Sequence, residues 1–329
     1  MFNILDCTLR DGNHAIGLKF DGERTKQITK GLINAGVQYI EIGHPMGPGT
    51  ARKNMKLAAA KDKEYLESVS SLTSKANIGT FFLPSVGEMC DIEMIKEHKL
   101  GFIRIGSNVG EMDFAEPYVK YAKKVGLTVH FSLMKAYAVS PAELAEEAKK
   151  VESFGADVIH IMDSAGGILP NDTKKYVCAL KNSVSTKVGF HAHDNLRLAI
   201  ANALASIEEG ADFIDASLRG LGRSAGNAQL EVLIAVLKKS GYDIPMDLRT
   251  LLDTGTELVE PLMKKQAGLD ILDIIFGYTG FHSGFLPMFE QIANEYGVDL
   301  VELIIKVCAK EKVHPVVEVV KEIAASMKK

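Results

Sequence analysis

Eight short β-rich runs alternate with longer stretches of helical period through the first two thirds of the 329-residue chain. No other feature constrains the fold as tightly. The runs cover residues 4–9, 38–42, 77–83, 102–106, 128–133, 158–162, 188–193 and 213–217. The helical stretches between and after them cover 24–35, 61–72, 92–98, 116–125, 141–154, 173–181, 197–209 and 228–239. Gly36, Gly126, Gly155 and Gly210 stand where helix C-caps are expected. Eight βα units without an antiparallel hairpin signal predict an α/β fold, a closed (β/α)8 TIM barrel. An open doubly wound sheet would place a Gly-rich phosphate turn after an early strand, and the first turn here reads Arg10-Asp11-Gly12-Asn13-His14 instead.

From about Ser240 the pattern changes to helices without strands, at 246–263, 287–296, 300–310 and 315–327, with Pro315 suited to the first turn of the last. The expected division is therefore a barrel over 1–239 and a small C-terminal helical domain over 240–329, joined through Gly241 and Pro245. A formal net charge of -4 leaves no basic footprint for nucleic acid or an anionic membrane, which favours a small-molecule ligand. Cys7, Cys90, Cys178 and Cys308 are scattered without a CxxC spacing and read as buried thiols of a reducing compartment. No stretch reaches the length of a membrane span, and no leader pattern precedes the first strand, so a cytoplasmic location is expected.

Barrel chemistry gathers at the C-terminal ends of strands, and the polar clusters of this sequence fall there. The first run ends abruptly in Arg10-Asp11-Gly12-Asn13-His14, and the seventh in His191-Ala192-His193-Asp194-Asn195. Residues two apart on a strand share a face, so His191 and His193 can reach one ion, with Asp11 as third ligand. Two imidazoles and a carboxylate with no thiol favour Mn2+, Mg2+ or Co2+ over Zn2+, which ligand type alone leaves open. Arg10 and Asp11, adjacent at a strand end, are expected to face opposite ways, Asp11 to the metal and Arg10 to an anionic oxygen of substrate. His14 is the nearby group able to carry a proton near neutrality. Asp163-Ser164-Ala165-Gly166-Gly167 offers a hydroxyl and bare amides for a carboxylate or phosphate. Gly220-Leu221-Gly222-Arg223-Ser224-Ala225-Gly226-Asn227 is a weaker phosphate signal, with Asn227 placed to orient the metal ligands. The stretch 277–285, dense in glycine and aromatics, is expected to be the one non-helical part of the helical domain and either a lid over the mouth or a plain loop. His98, His130, His160 and His314 are expected to be structural, and His44 lies in a Pro/Gly-rich loop.

These motifs, with Thr8-Leu9-Arg10-Asp11-Gly12 and Ala225-Gly226-Asn227, resemble the metal-dependent superfamily that includes 3-hydroxy-3-methylglutaryl-CoA lyase, isopropylmalate synthase and homocitrate synthase. Leu9 through Ile16, Met162-Asp163-Ser164, His191 through Leu196 and Gly226 through Val232 are most similar to its 4-hydroxy-2-oxovalerate aldolase subgroup. The resemblance covers nearly the whole chain. It implies a class II pyruvate aldolase that binds Mn2+ or Mg2+ through Asp11, His191 and His193 and cleaves a 4-hydroxy-2-oxo acid to pyruvate and an aldehyde. Arg10 would stabilise the enolate, His14 would move the proton of the 4-hydroxyl, and Ser164 would contact the pyruvate carboxylate, with Asp11 and His191 also facing substrate. His282 stands where the subgroup has a tyrosine involved in substrate selection, so it is an expected substrate contact. A homo-oligomer and an acylating aldehyde dehydrogenase docked on the helical domain are also implied, although the tail after Lys312 lacks the subgroup's glycine-acid pattern. A Claisen-type synthase joining acetyl-CoA to a 2-oxo acid is the alternative on this scaffold. Against it, the loop Gly222-Arg223-Ser224-Ala225 lacks the glutamate those synthases place before Ala-Gly-Asn.

Overall fold

All eight apolar runs become strands of one parallel barrel, closed in sequence order from β1 round to β8. A computed structural model describes residues 2–263 and 271–327. The strands are β1 (Asn3–Asp6), β2 (Tyr39–Ile42), β3 (Asn77–Phe82), β4 (Phe102–Asn108), β5 (Thr128–Met134), β6 (Val158–Asp163), β7 (Lys187–Ala192) and β8 (Phe213–Ala216). Closure comes from β8 pairing with β1, Asn3 opposite Phe213 and Asp6 opposite Ala216. Helices α1 (Gly12–Ala15), α2 (Gly22–Asn34), α3 (Asp62–Val69), α4 (Met89–Glu97), α5 (Glu116–Lys124), α6 (Pro141–Phe154), α7 (Pro170–Lys181), α8 (Ala199–Glu208) and α9 (Leu230–Lys239) follow the strands. Helix α6 has the bounds its sequence announces. Ser140 Oγ accepts from the Glu143 amide, the Glu143 carboxylate accepts from the Ser140 amide, Pro141 opens the first turn, and Gly155 ends the helix at a φ of 107°.

The last part of the chain forms α10 (Leu248–Thr254), α11 (Ile271–Thr279), α12 (Leu286–Tyr296), α13 (Leu300–Cys308) and α14 (Val317–Ser326). Met246, Leu251 and Val259 join the barrel's apolar core, whereas Phe276, Phe281, Phe289, Leu303 and Val320 build a second core among the later helices. None of the described helices is long and apolar enough to cross a membrane.

Five local expectations are corrected. Strand β1 stops at Asp6 rather than Leu9, because the Asp6 carboxylate accepts from the amide and hydroxyl of Thr8 and turns the chain out of the sheet. The span 246–263 is not one helix: a single π turn (Gly255–Val259) and a 3-10 turn containing Pro261 follow α10, since proline has no amide to continue the ladder. Gly277, Tyr278 and Thr279 are helical; Gly277 answers a packing need, as a Cβ there would lie 2.8 Å from the Leu196 side chain. Pro315 precedes the last helix instead of opening it, because the Glu311 carboxylate holds the amides of Val313 and His314 in a turn. Cys7 and Cys308 are buried thiols, but Cys90 and Cys178 sit on exposed positions of α4 and α7.

Candidate active site

After β1 the Cys7 carbonyl collects the amides of Arg10 and Asp11, folding five residues into a turn that delivers both side chains to the barrel mouth. They face one another, contrary to expectation: a turn, not a strand, carries them, and Arg10 Nη1 lies 2.8 Å from Asp11 Oδ1. Arg10 Nε donates to Glu41 of β2 at 2.7 Å, and the guanidinium carbon stands 4.8 Å from the centre of the Phe81 ring. Burial opposes its charge, yet Glu41 and Asp11 more than offset this and raise its pKa. Its Nη2 is buried without a partner among the described residues, so one face of a fixed cation is left for a ligand.

Asp11, His191 and His193 converge, with one potential ligand atom from each lying within 4.8 Å of the others. The ring nitrogens can be assigned from their partners. His191 Nδ1 is 2.9 Å from the Asp215 carboxylate and His193 Nδ1 is 3.2 Å from the Gly226 carbonyl, both groups that only accept. Each Nδ1 therefore carries the proton and each Nε2 presents a lone pair, the arrangement a metal-binding histidine needs. His191 Nε2 is buried with no partner. A divalent ion would answer that orphaned atom, with Asp11, whose Oδ2 accepts from Asn227 Nδ2 at 2.9 Å, as the anionic member of the set. Burial works against ionised Asp11, but the Arg10 guanidinium holds its carboxyl well below the usual range. Burial also draws the His193 imidazole down to about 3, so it is neutral.

The loop after β8 is strapped to the end of β7. Asp194 N donates to the Gly226 carbonyl, and His193 pairs with Asn227 as an isolated bridge. Gly226 has a φ of 96°, and a Cβ on it would fall 2.2 Å from the Gly220 carbonyl oxygen, so only glycine serves. The motif read as a weak phosphate signal thus fixes His193 and Asn227.

Arg10, Asp11, His14, Ser164, His193 and His282 line one cavity of about 1140 Å3; His191, 1% exposed, lies just beneath it. His14 sits in α1, where burial and then Arg223 pull its imidazole down to about 3. Ser164 Oγ accepts from the Lys135 amide at 3.0 Å and keeps its own proton to donate. His282, between α11 and α12, accepts the Gly284 amide on Nδ1. Neighbouring Asp163 is structural: its carboxylate takes the amides of Gly167 and Ile168, and burial raises it to about 6. Both ring nitrogens of His44 are occupied within its loop, by the Lys56 carbonyl and the Met46 amide.

Sequence reasoning missed a layer of charge below the mouth. Fully buried Arg104 of β4 reaches Asp215 at 2.5 Å, Ser132 at 2.7 Å and Glu41 at 3.6 Å, and His160 Nδ1 stands 3.4 Å from Asp215. Asp215 therefore orients His191 from below while Glu41 holds Arg10. Three charged residues inside short apolar strands were the available signal. Two cations of the mouth, Arg223 and Lys135, also escaped; both line the cavity.

The HMGL-like family model matches residues 1–258. The chain is 41% identical to the 4-hydroxy-2-oxovalerate aldolase of Carboxydothermus hydrogenoformans over 303 residues, 92% of this chain and 90% of that protein. It is 39% identical to the protein of the same name from Geobacillus genomosp. 3 over 310 residues, 94% of this chain and 92% of that one. In fold it is similar to the carboxyl transferase domain of Rhizobium etli pyruvate carboxylase, with a TM-score of 0.80 at 16% identity, covering 99% of this chain and 60% of that one. The chain belongs to the HMGL-like family, alongside relatives named 4-hydroxy-2-oxovalerate aldolase.

Proposed function

We propose that this chain is a divalent-metal-dependent class II pyruvate aldolase, a carbon-carbon lyase that cleaves a 4-hydroxy-2-oxo acid of the 4-hydroxy-2-oxovalerate type to pyruvate and an aldehyde. The observation that carries the reading is the convergence of Asp11, His191 and His193 beside the unpartnered Nη2 of Arg10. Asp11, His191 and His193 would hold the ion, with Mn2+ the first choice and Mg2+ or Co2+ the others for a set without thiolate. When bound, the ion supplies Lewis-acid stabilisation of negative charge on the 2-oxo oxygen.

The remaining work falls to the chain. Ser164 donates to the substrate carboxylate, and Asp11 and His191 border the same end of the substrate. Neutral His14 takes the proton of the C4 hydroxyl, the C–O electrons form the aldehyde carbonyl, and the C3–C4 pair moves into the enolate of the three-carbon fragment. Arg10 Nη2 donates to the developing oxyanion; a donor of this kind contributes about 2.7–4 kcal/mol to transition-state stabilisation. Protonation at C3 completes pyruvate. His282 flanks the aldehyde end and takes part in choosing it.

The test is aldol cleavage followed by pyruvate release. Activity that disappears with a chelator, returns with Mn2+ and survives borohydride in the presence of substrate supports the reading; borohydride trapping of a lysine overturns it. We further infer a cytoplasmic protein, supported by four free thiols, two of them exposed. The division into a barrel over 1–239 and a helical domain over 240–329 is part of the same reading. Exposed Leu169, Ile274 and Tyr278 supply apolar surface for a second copy or for an acylating aldehyde dehydrogenase.

A further inference from the structure

The aldolase reading, on which this inference rests, leaves one cation of the cavity unused. Asp11, Glu41 and Asp215 are buried carboxylates facing two buried guanidinium groups, Arg10 and Arg104. A divalent ion and a pyruvate enolate, which bears two negative charges, cancel one another. Arg223 lines the cavity too, is felt by Asp11, and forms no ion pair among the described residues, which places it beside the charge of the three-carbon fragment. Asp6 is absorbed by Thr8, and Asp163 by backbone amides. Lys135, which lines the same cavity, likewise forms no ion pair among the described residues and has no part in the proposed reaction.

Lys135 is 5% exposed. Its ammonium touches only the Val313 carbonyl and the face of Phe285, 4.9 Å from the ring centre. The nearest acids, Glu111 and Glu311, support the ammonium only at a distance and spend their hydrogen bonds on His314 and Asn108 and on the amides of Val313 and His314. A buried cation held by one carbonyl and a ring is poorly compensated, and burial lowers its pKa to about 8.

Its position gives the charge a use. Lys135 follows β5, and in a closed barrel of eight strands β5 lies opposite β1, which delivers Arg10 and Asp11. An aldehyde whose carbonyl meets the pyruvate methyl carbon must extend away from the metal ligands. Leu83 and Met134 line the wall on the Lys135 side. The cavity of about 1140 Å3 exceeds the upper range of pockets for drug-sized ligands, far beyond what a three-carbon acid and a two-carbon aldehyde fill.

We propose that the acceptor aldehyde is an anion, several carbons long and ending in a carboxylate that Lys135 binds, so that the substrate cleaved is a 4-hydroxy-2-oxo diacid. A single ammonium matches a carboxylate better than a phosphate dianion.

The test compares succinic semialdehyde with butanal, equal in carbon number, each condensed with pyruvate by the full-length Mn2+-loaded protein. The semialdehyde is expected to show a kcat/KM higher by roughly 10- to 100-fold, the reach of a hydrogen bond to a charged group. Lys135→Met should bring the ratio of the two near unity, and Lys135→Arg should keep it. Butanal performing as well in the native protein overturns the proposal, as does a Lys135→Met variant that slows both aldehydes alike, which marks a purely structural lysine. If Lys135→Met does not fold, the native ratio and Lys135→Arg decide. Exchange of pyruvate methyl protons in D2O without aldehyde separates the two levels of the argument. Exchange without anion preference sinks only this proposal, and absence of exchange sinks the aldolase reading.

Discussion

The two sides of the barrel mouth are built differently. On the β1, β7 and β8 side nearly every polar atom is held: Asp11 by Arg10 and Asn227, His191 by Asp215, His193 by the Gly226 carbonyl, Arg10 by Glu41. Among the buried atoms left without a partner there are Arg10 Nη2 and His191 Nε2, which the proposed substrate and metal would meet. Across the mouth, Lys135, Phe285 and His282 meet through a ring face, one carbonyl and one amide. The first side is a preorganised electrostatic cradle. The second is an adjustable wall whose side chains can change without disturbing the chemistry.

The comparison can be broken by mutation, starting where the cradle is tightest. Arg10→Met should lower kcat for aldol cleavage by about 100- to 1000-fold, measured by pyruvate release, because it removes a donor to the forming oxyanion. Asp215→Asn should weaken Mn2+ binding by about 10- to 100-fold, read by metal titration, since it frees His191 from its orienting partner. It also strands buried Arg104, and a loss of about 3–5 kcal/mol in denaturant unfolding is expected. Ser164→Ala should raise KM by about 10-fold with a smaller change in kcat, as it removes one hydrogen bond to a carboxylate. The mildest test is pH. The burial that lowers Lys135 to about 8 means the free protein loses this positive charge as pH rises through that value. For an anionic aldehyde kcat/KM should be about halved near pH 8 and keep falling, with no such step for a neutral aldehyde.

How much of this was legible beforehand also divides along the two sides. The β1 and β7 ends declare themselves in short contiguous runs, Arg10-Asp11-Gly12-Asn13-His14 and His191-Ala192-His193, because a turn and a strand end each present neighbouring residues to one point. The eightfold alternation likewise announces the barrel, and Gly155 marks the end of α6. The relative orientation of Arg10 and Asp11 was misread because β1 was carried three residues too far, past the Asp6–Thr8 turn. Arg104, Glu41 and Asp215 come from three different strands, and their meeting depends on barrel closure, which no local pattern encodes. Lys135 has no motif around it, and Arg223 stands within the Gly220–Asn227 loop without a role of its own; the shared cavity shows that both belong to the mouth. The helical run through Gly277 was hidden for a related reason, since its glycine answers to Leu196 rather than to a turn.

The central claim is that Asp11, His191 and His193 close on one divalent cation. Its most direct test is equilibrium Mn2+ binding followed by electron paramagnetic resonance, with His191→Ala beside the native protein and circular dichroism confirming that both are folded. One Mn2+ per chain, lost in the folded variant, is the predicted result. A native stoichiometry near zero, or binding that the variant retains in full, contradicts the account.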